Sequence, residues 1–286
     1  MKKNRTLFLL TSISTIAPIA MSAMVVSCGK GEKANSFSFK YLTGKDATKF
    51  YNSSTQTLDL SSEKFTSIPD AAFSNISLDF FNPYKRAAVK DKKQRDAIPV
   101  AADGLFEPET YILNIKRIVL PSTVKTIGRG AFYGLRRLSE IVFANDSKLE
   151  NIGDLAFSNT GVTNLVLPTT VKNIGAGAFE KSNLTSINLN QLTSVTTLKK
   201  AVFANTNLTT LDLSNILRIE ENALTNTKIT ALTFNDKLST ASPLFNGENT
   251  TDETKTKIAL TLPEGALKES LKKALSENNK LLYTIQ

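Results

Sequence analysis

The sequence predicts an α/β repeat solenoid in which each unit of about 23 residues supplies one short parallel strand, with short helical or turn segments on the convex side. Two observations carry that expectation. The phrase Leu120-Pro121-Ser122-Thr123-Val124-Lys125-Thr126-Ile127-Gly128-Arg129-Gly130-Ala131-Phe132 returns as Leu167-Pro168-Thr169-Thr170-Val171-Lys172-Asn173-Ile174-Gly175-Ala176-Gly177-Ala178-Phe179, and shorter echoes end at Phe157, Phe203 and Leu224. Counted between these anchors, successive units are 25, 22, 24 and 21 residues long, shorter than helical-hairpin repeats. Between anchors lies one alternating triplet per unit: Ile118-Val119-Leu120, Ile141-Val142-Phe143, Leu165-Val166-Leu167, Ile187-Asn188-Leu189, Leu211-Asp212-Leu213 and Leu232-Thr233-Phe234. A period of two makes these strands, with the first and third residues facing the core.

Composition removes several kinds of chemistry. The 286 residues include no His, no Trp and one Cys, with 35 Lys plus Arg against 26 Asp plus Glu. Without His there is no Ser/His/Asp or Cys/His triad and no His-containing zinc site. A single Cys excludes an intrachain disulfide and a CxxC metal or redox pair. Apolar residues, at 41%, suffice for a substantial core.

Residues 1–27 are read as a signal peptide, outside the fold. Lys2, Lys3 and Arg5 form a positive start, and no charge follows from Thr6 through Gly29. The segment closes on Val25-Val26-Ser27-Cys28 and gives way to a polar run, residues 28–36, read as a tether. This arrangement resembles the lipobox of bacterial lipoproteins, in the looser form of mycoplasma-type surface lipoproteins. The resemblance implies that Cys28 becomes the first mature residue, with a diacylglycerol on its sulfur and fatty acids such as palmitate as its chains. Two acyl chains anchor stably where one would not. An uncleaved span or an ordinary secretory signal with an incidental Cys are the alternatives.

Residues 37–263 are assigned to the solenoid. At its start, Phe37, Phe39 and Tyr41 alternate with polar residues and suit an edge strand capping the first coil. Leu58-Asp59-Leu60 with Ile68-Pro69-Asp70-Ala71-Ala72-Phe73 reads as a first unit. An insertion of about residues 82–115 follows, in which Lys85, Arg86, Lys90, Lys92, Lys93 and Arg95 face only Asp91 and Asp96 over residues 85–96. That run is a candidate polyanion site for sulfated glycans or anionic headgroups, or a solvated edge of the solenoid. It has no accompanying nucleic-acid motif, and no nucleic-acid partner is expected.

From Arg117 to Phe234 the units resemble BspA-type leucine-rich repeats, which read as a strand, a Val, an Ile-Gly step and an Ala-Phe anchor. The Phe is expected to plug the space between coils opposite the strands, and the Ile-Gly step to make a backbone turn. Gly128-Arg129-Gly130 and Gly175-Ala176-Gly177 lack the third Gly of a dinucleotide loop and belong to this repeat position. Asn183-Leu184-Thr185 and Asn207-Leu208-Thr209 are likewise repeat grammar. Residues 258–263 read as a last strand. Residues 264–286 are expected to form a C-terminal helix or cap, with Leu267, Leu271, Ala274 and Leu275 at helical spacing.

The resemblance implies a lipid-anchored protein on the extracellular face of the cell membrane, adhesin-like, that binds a protein or glycan of a host or neighbouring cell. It is not expected to be an enzyme, and no cofactor or metal is called for. A polyanion-binding surface lipoprotein is the alternative. A hydrolase would need a clustered acid, base or nucleophile; a transporter-associated solute-binding lipoprotein would need two lobes and a hinge. Alternation places Val119, Glu140, Val142, Asn164, Val166, Asn188 and Asp212 on the exposed side of the strands, and these are the candidate binding residues.

Overall fold

The computed structural model describes residues 49–74, 112–235, 238, 240–241, 258–261 and 283–285. The strands, in chain order, are β1 (Tyr51–Asn52), β2 (Thr57–Asp59), β3 (Ser67–Ile68), β4 (Arg117–Val119), β5 (Thr126–Ile127), β6 (Glu140–Val142), β7 (Asn151–Ile152), β8 (Asn164–Leu165) and β9 (Asn173–Ile174). They continue as β10 (Ser186–Ile187), β11 (Thr197–Leu198), β12 (Thr210–Leu213), β13 (Arg218–Ile219), β14 (Ala231–Phe234), β15 (Thr240–Ala241), β16 (Ile258–Thr261) and β17 (Tyr283–Ile285). Among the described residues every pairing but that of β1 with β2 is parallel, as stacking successive coils in one direction requires.

The first ladder is the expected one, running β2-β4-β6, then β8-β10, then β12-β14-β16-β17. Its inside-outside register follows the alternation: Ile118 and Leu120 are buried, Val119 is half-buried and Arg117 is exposed. At the N-terminal edge β1 pairs antiparallel with β2, placing Tyr51 opposite Leu58. The edge strand expected at Phe37, Phe39 and Tyr41 lies outside the described residues. So do residues 1–36, with the signal and Cys28, and most of the insertion. At the other end residues 264–282 are likewise undescribed, but Tyr283–Ile285 of the expected helix or cap is a strand that extends the ladder parallel to β16.

A second ladder, β3-β5-β7-β9 and then β11-β13-β15, corrects the reading of the Ile-Gly step as a turn. Ile127, Ile152 and Ile174 are the buried residues of these two-residue strands, so each coil carries two strands, not one. The glycines that follow are small because coils approach closely there. A Cβ added to Gly153 would sit 2.7 Å from the backbone nitrogen of Arg129 in the preceding coil.

The segments carrying the anchors are turns; between β4 and β14 the helical stretch is the single 3-10 turn Leu189–Gln191. From Phe132 to Phe203, each anchor turn places a residue with left-handed backbone two positions before the anchor and another two positions after. Gly177 and Lys181 hold these places around Phe179, with φ of 59° and 57°, and Ala201 and Asn205 hold them around Phe203, with 52° and 58°. A left-handed conformation costs a residue bearing a Cβ about 1–2 kcal/mol. Ala201→Gly should therefore raise the melting temperature by about 1–4 °C. An unchanged or lower midpoint by circular dichroism would show that the strain is relieved elsewhere.

The anchors form the core opposite the first ladder. Phe73, Phe132, Phe157, Phe179 and Phe203 are each 1% exposed or less. Their rings stack nearly parallel from coil to coil, with centroids 5.2, 5.2, 5.6 and 5.7 Å apart. Alanines 131, 156 and 178 before them leave room for the turn. Three residues after the anchor, the buried hydroxyls of Thr160, Ser182 and Thr206 each donate to the carbonyl of their own anchor Phe at 2.7–2.8 Å, closing the turn.

Candidate binding surface

Because side chains alternate along a strand, residues at the middle of each first-ladder triplet form a row outside the core. The row runs Asp59, Val119, Val142, Val166, Asn188, Asp212 and Thr233, and direct partners in the ladder include Asp59 with Val119, Val119 with Val142 and Asp212 with Thr233. Beside it runs a second row in which Arg117 pairs with Glu140 and Asn164 with Ser186. All seven candidate binding residues are thus carried by one face.

They are not equally available. The Nδ2 of Asn188 donates to the Leu167 carbonyl at 3.0 Å and its Oδ1 accepts from the Leu167 N–H at 2.8 Å. At Asn188 the backbone leaves the strand (φ −81°, ψ 45°) for the 3-10 turn. The side chain amide therefore replaces the strand partner that Leu167 would otherwise lose, and Asn188 is a structural residue, not a contact residue. The Oδ1 of Asn164 accepts from the hydroxyls of Thr185 and Ser186 at 3.0 and 2.7 Å. One oxygen of Asp212 accepts the Ser214 N–H at 2.9 Å and the other accepts from Asn190 at 3.3 Å. Glu140 pairs with the Arg117 guanidinium at 3.2 Å; both are solvent-exposed, so the pair contributes under about 1 kcal/mol.

The valines carry no such duty. Val119 and Val142 are half-buried, while Val166 is 73% exposed, the most exposed large apolar side chain among the described residues. The three mark the apolar half of the row, and Asn188, Asp212 and Thr233 the polar half. Next to the polar half a depression of about 260 Å³ is lined by Asn190, Thr210, Asp212 and Thr233, where β10 and β12 are not hydrogen-bonded as a ladder.

A cleft of about 650 Å³ at the N-terminal end of the same face was not anticipated. Phe50, Tyr51, Asn52, Thr57, Asp59 and Arg117 contribute to its lining. Phe50 and Tyr51 also pack on the core, and burial pushes the Tyr51 phenol above its usual range. The signal was present as the aromatic pair Phe50-Tyr51 ahead of Asn52-Ser53-Ser54-Thr55, a turn in which the Asn52 Oδ1 accepts the N–H groups of Ser54 and Thr55. The remaining shifted group, Lys181, lies in an anchor turn, its ammonium held up by the hydrogen bond and charge of Glu180 at 3.0 Å.

The polyanion candidates Lys85, Arg86, Lys90, Lys92, Lys93 and Arg95 lie outside the described residues. The rest of the insertion also carries Asp103, Glu107 and Glu109, which reduce the net charge of residues 82–115 from the +4 of residues 85–96 to +1. Among the described residues no group of three or more His, Cys, Asp or Glu could hold a metal ion.

The profile of a family described as BspA type leucine-rich repeat region matches in six copies, over residues 31–86 and 110–230. No curated protein matches the chain. Among solved structures, the chain is similar to a leucine-rich repeat protein of T. pallidum, at 17% identity over 84% of this chain and 96% of that one, with a TM-score of 0.34. It is also similar to a leucine-rich cell surface protein of Faecalibacterium prausnitzii, at 16% identity over 70% of this chain, with a TM-score of 0.37. A third is the pneumococcal vaccine antigen PcpA, at 16% identity over 60% of this chain, with a TM-score of 0.27. The chain spans 50% of the Faecalibacterium protein and 67% of the pneumococcal one.

Proposed function

The chain belongs to the BspA-type leucine-rich-repeat family, and from that premise we propose that it is a surface protein that binds a protein or glycan of a host or neighbouring cell through its first-ladder face. The observation that carries the reading is the valine stripe. Val119, Val142 and Val166 occupy outward positions that the core does not require, and Val166 exposes a large apolar side chain to water where a polar residue would serve a solvated face as well. The neighbouring row supplies a polar rim through Arg117, Glu140 and Asn164, and an apolar centre with a polar rim is the usual make-up of a recognition surface.

Val142→Lys combined with Val166→Lys should weaken adhesion to target cells by about tenfold or more while leaving the melting temperature within about 2 °C. Adhesion at the level of the unaltered chain by the folded double variant would move the site off this face. A collapse in stability would instead make these valines packing residues.

The protein is held at the outer face of the cell membrane by lipid on Cys28, the only thiol in the chain, which directly follows an uncharged segment ending Val25-Val26-Ser27. Cys28→Ser should abolish incorporation of labelled palmitate and leave residues 1–27 uncleaved. Labelling that persists in the variant would remove the anchor assignment.

A further inference from the structure

The cleft at the N-terminal end of the first-ladder face carries a mixed set of hydrogen-bonding groups that the fold leaves partly unused. Asp59 receives the Ser61 N–H on Oδ1 at 2.9 Å, which leaves Oδ2 as an acceptor. Asn52 uses its Oδ1 for the β1-β2 turn, which leaves the two N–H bonds of Nδ2 as donors. Arg117 meets Glu140 through Nε at 3.2 Å, and its guanidinium carries five N–H donors, more than that one pairing uses. Thr55 lends its carbonyl to the Thr57 hydroxyl, and its own hydroxyl can both donate and accept. The rings of Phe50 and Tyr51 form part of the same lining.

The signs of these groups narrow the ligand. An anion would be drawn to Arg117 but repelled by Asp59, and a cation would meet the reverse. A purely apolar ligand would strand a carboxylate, a guanidinium and an amide without water. A neutral polyhydroxyl compound satisfies all of them, because each hydroxyl both donates and accepts: a vicinal pair can donate to Asp59 Oδ2 and accept from Arg117 or Asn52. The volume, about 650 Å³, is within the range of small-ligand sites and admits a disaccharide.

We propose that this cleft is a binding site for a neutral saccharide, with Asp59 and Arg117 as its hydrogen-bonding poles. It goes beyond the valine stripe: the cleft joins that face through the Asp59–Val119 pair but contains none of the three valines.

The test is isothermal titration of the full chain, in a non-glycosidic detergent, with lactose, cellobiose, chitobiose and mannobiose as separate probes. At least one should bind at a single site, and Asp59→Asn and Arg117→Gln should each weaken it by about tenfold or more without moving the melting temperature. Both positions are exposed, and two variants are used so that misfolding of one leaves the other decisive. Binding by none of these sugars, binding that both variants retain in full, or tighter binding of a sulfated heparin disaccharide than of any neutral sugar would each overturn the proposal. The Val142→Lys and Val166→Lys double variant should bind the sugar as the unaltered chain does. Loss of adhesion with sugar binding intact would therefore separate the stripe from the cleft, whereas loss of sugar binding in the folded double variant would place the saccharide on the stripe and overturn the cleft.

Discussion

Phe157→Ala should destabilise the protein by about 3–5 kcal/mol. Phe157 is fully buried, and its ring lies between those of Phe132 and Phe179 at 5.2 and 5.6 Å, within 6° and 7° of parallel. Truncation therefore opens a void at two coil interfaces at once, bounded by rings held by their own coils and by the small side chains Ala156 and Ala178, which cannot fill it. In a repeat array each coil is stabilised by its neighbours, so the loss falls on both junctions and should broaden the transition or divide it in two. Phe157→Leu should cost less, about 1–2 kcal/mol, since Leu224 holds the same place in a later coil and is equally buried. Chemical denaturation followed by circular dichroism measures both. A loss under about 1 kcal/mol for Phe157→Ala would mean that the stacked rings fill space the coils could close without them.

The anchors were legible in the sequence because they satisfy two requirements at once, a period and a residue type. Large aromatic residues at spacings of 22 to 25, each preceded by Ala in the clearest units, admit few explanations other than one buried ring per coil. The first ladder was legible for the same reason, since a period of two fixes which face of Ile118-Val119-Leu120 is buried. The second ladder was not. Its strands are two residues long, too short for alternation to show, and a Gly after an Ile reads equally as a turn or as a place where backbones touch. Asn188 shows a different limit. Counting outward positions marks it as a contact residue, but its amide is committed to Leu167 because the chain departs from the strand at that residue for the 3-10 turn. Asn215 follows the same logic, its Nδ2 donating to the carbonyls of Leu189, Leu192 and Val195 in the preceding coil. A polar side chain that completes a neighbour's backbone is identical in sequence to one that waits for a ligand.

Gly175→Ala should cost about 3 kcal/mol, and the comparison with Gly177→Ala separates the two meanings of glycine in this repeat. Gly177 has φ +59°, so a Cβ there carries the left-handed penalty of about 1–2 kcal/mol, and its nearest obstacle is the mobile end of the Leu155 side chain. Gly175 is in the ordinary backbone region, where a turn glycine could be replaced at little cost. Its added Cβ, however, would lie 2.5 Å from the carbonyl carbon of Gly153 and against the backbone nitrogen of Asp154, atoms that no side-chain rotation can move. Relief requires β7 and β9 to separate, which stretches the bonds from Asn173 and Gly175 to Glu150 and Ile152 and pulls apart the Phe157 and Phe179 rings on the same coils. The close approach is local: Lys199 and Glu220 stand at this position in the next two coils, where the second ladder restarts as β11-β13. Gly175→Ala should accordingly lower stability more than Gly177→Ala does, and a combined Gly153→Ala, Gly175→Ala variant should lose more than either alone, because the two methyl groups open different junctions, β5-β7 and β7-β9. Equal, small losses at Gly175 and Gly177 would return the Ile-Gly step to a turn and leave the second ladder a consequence of the fold with no part in holding it.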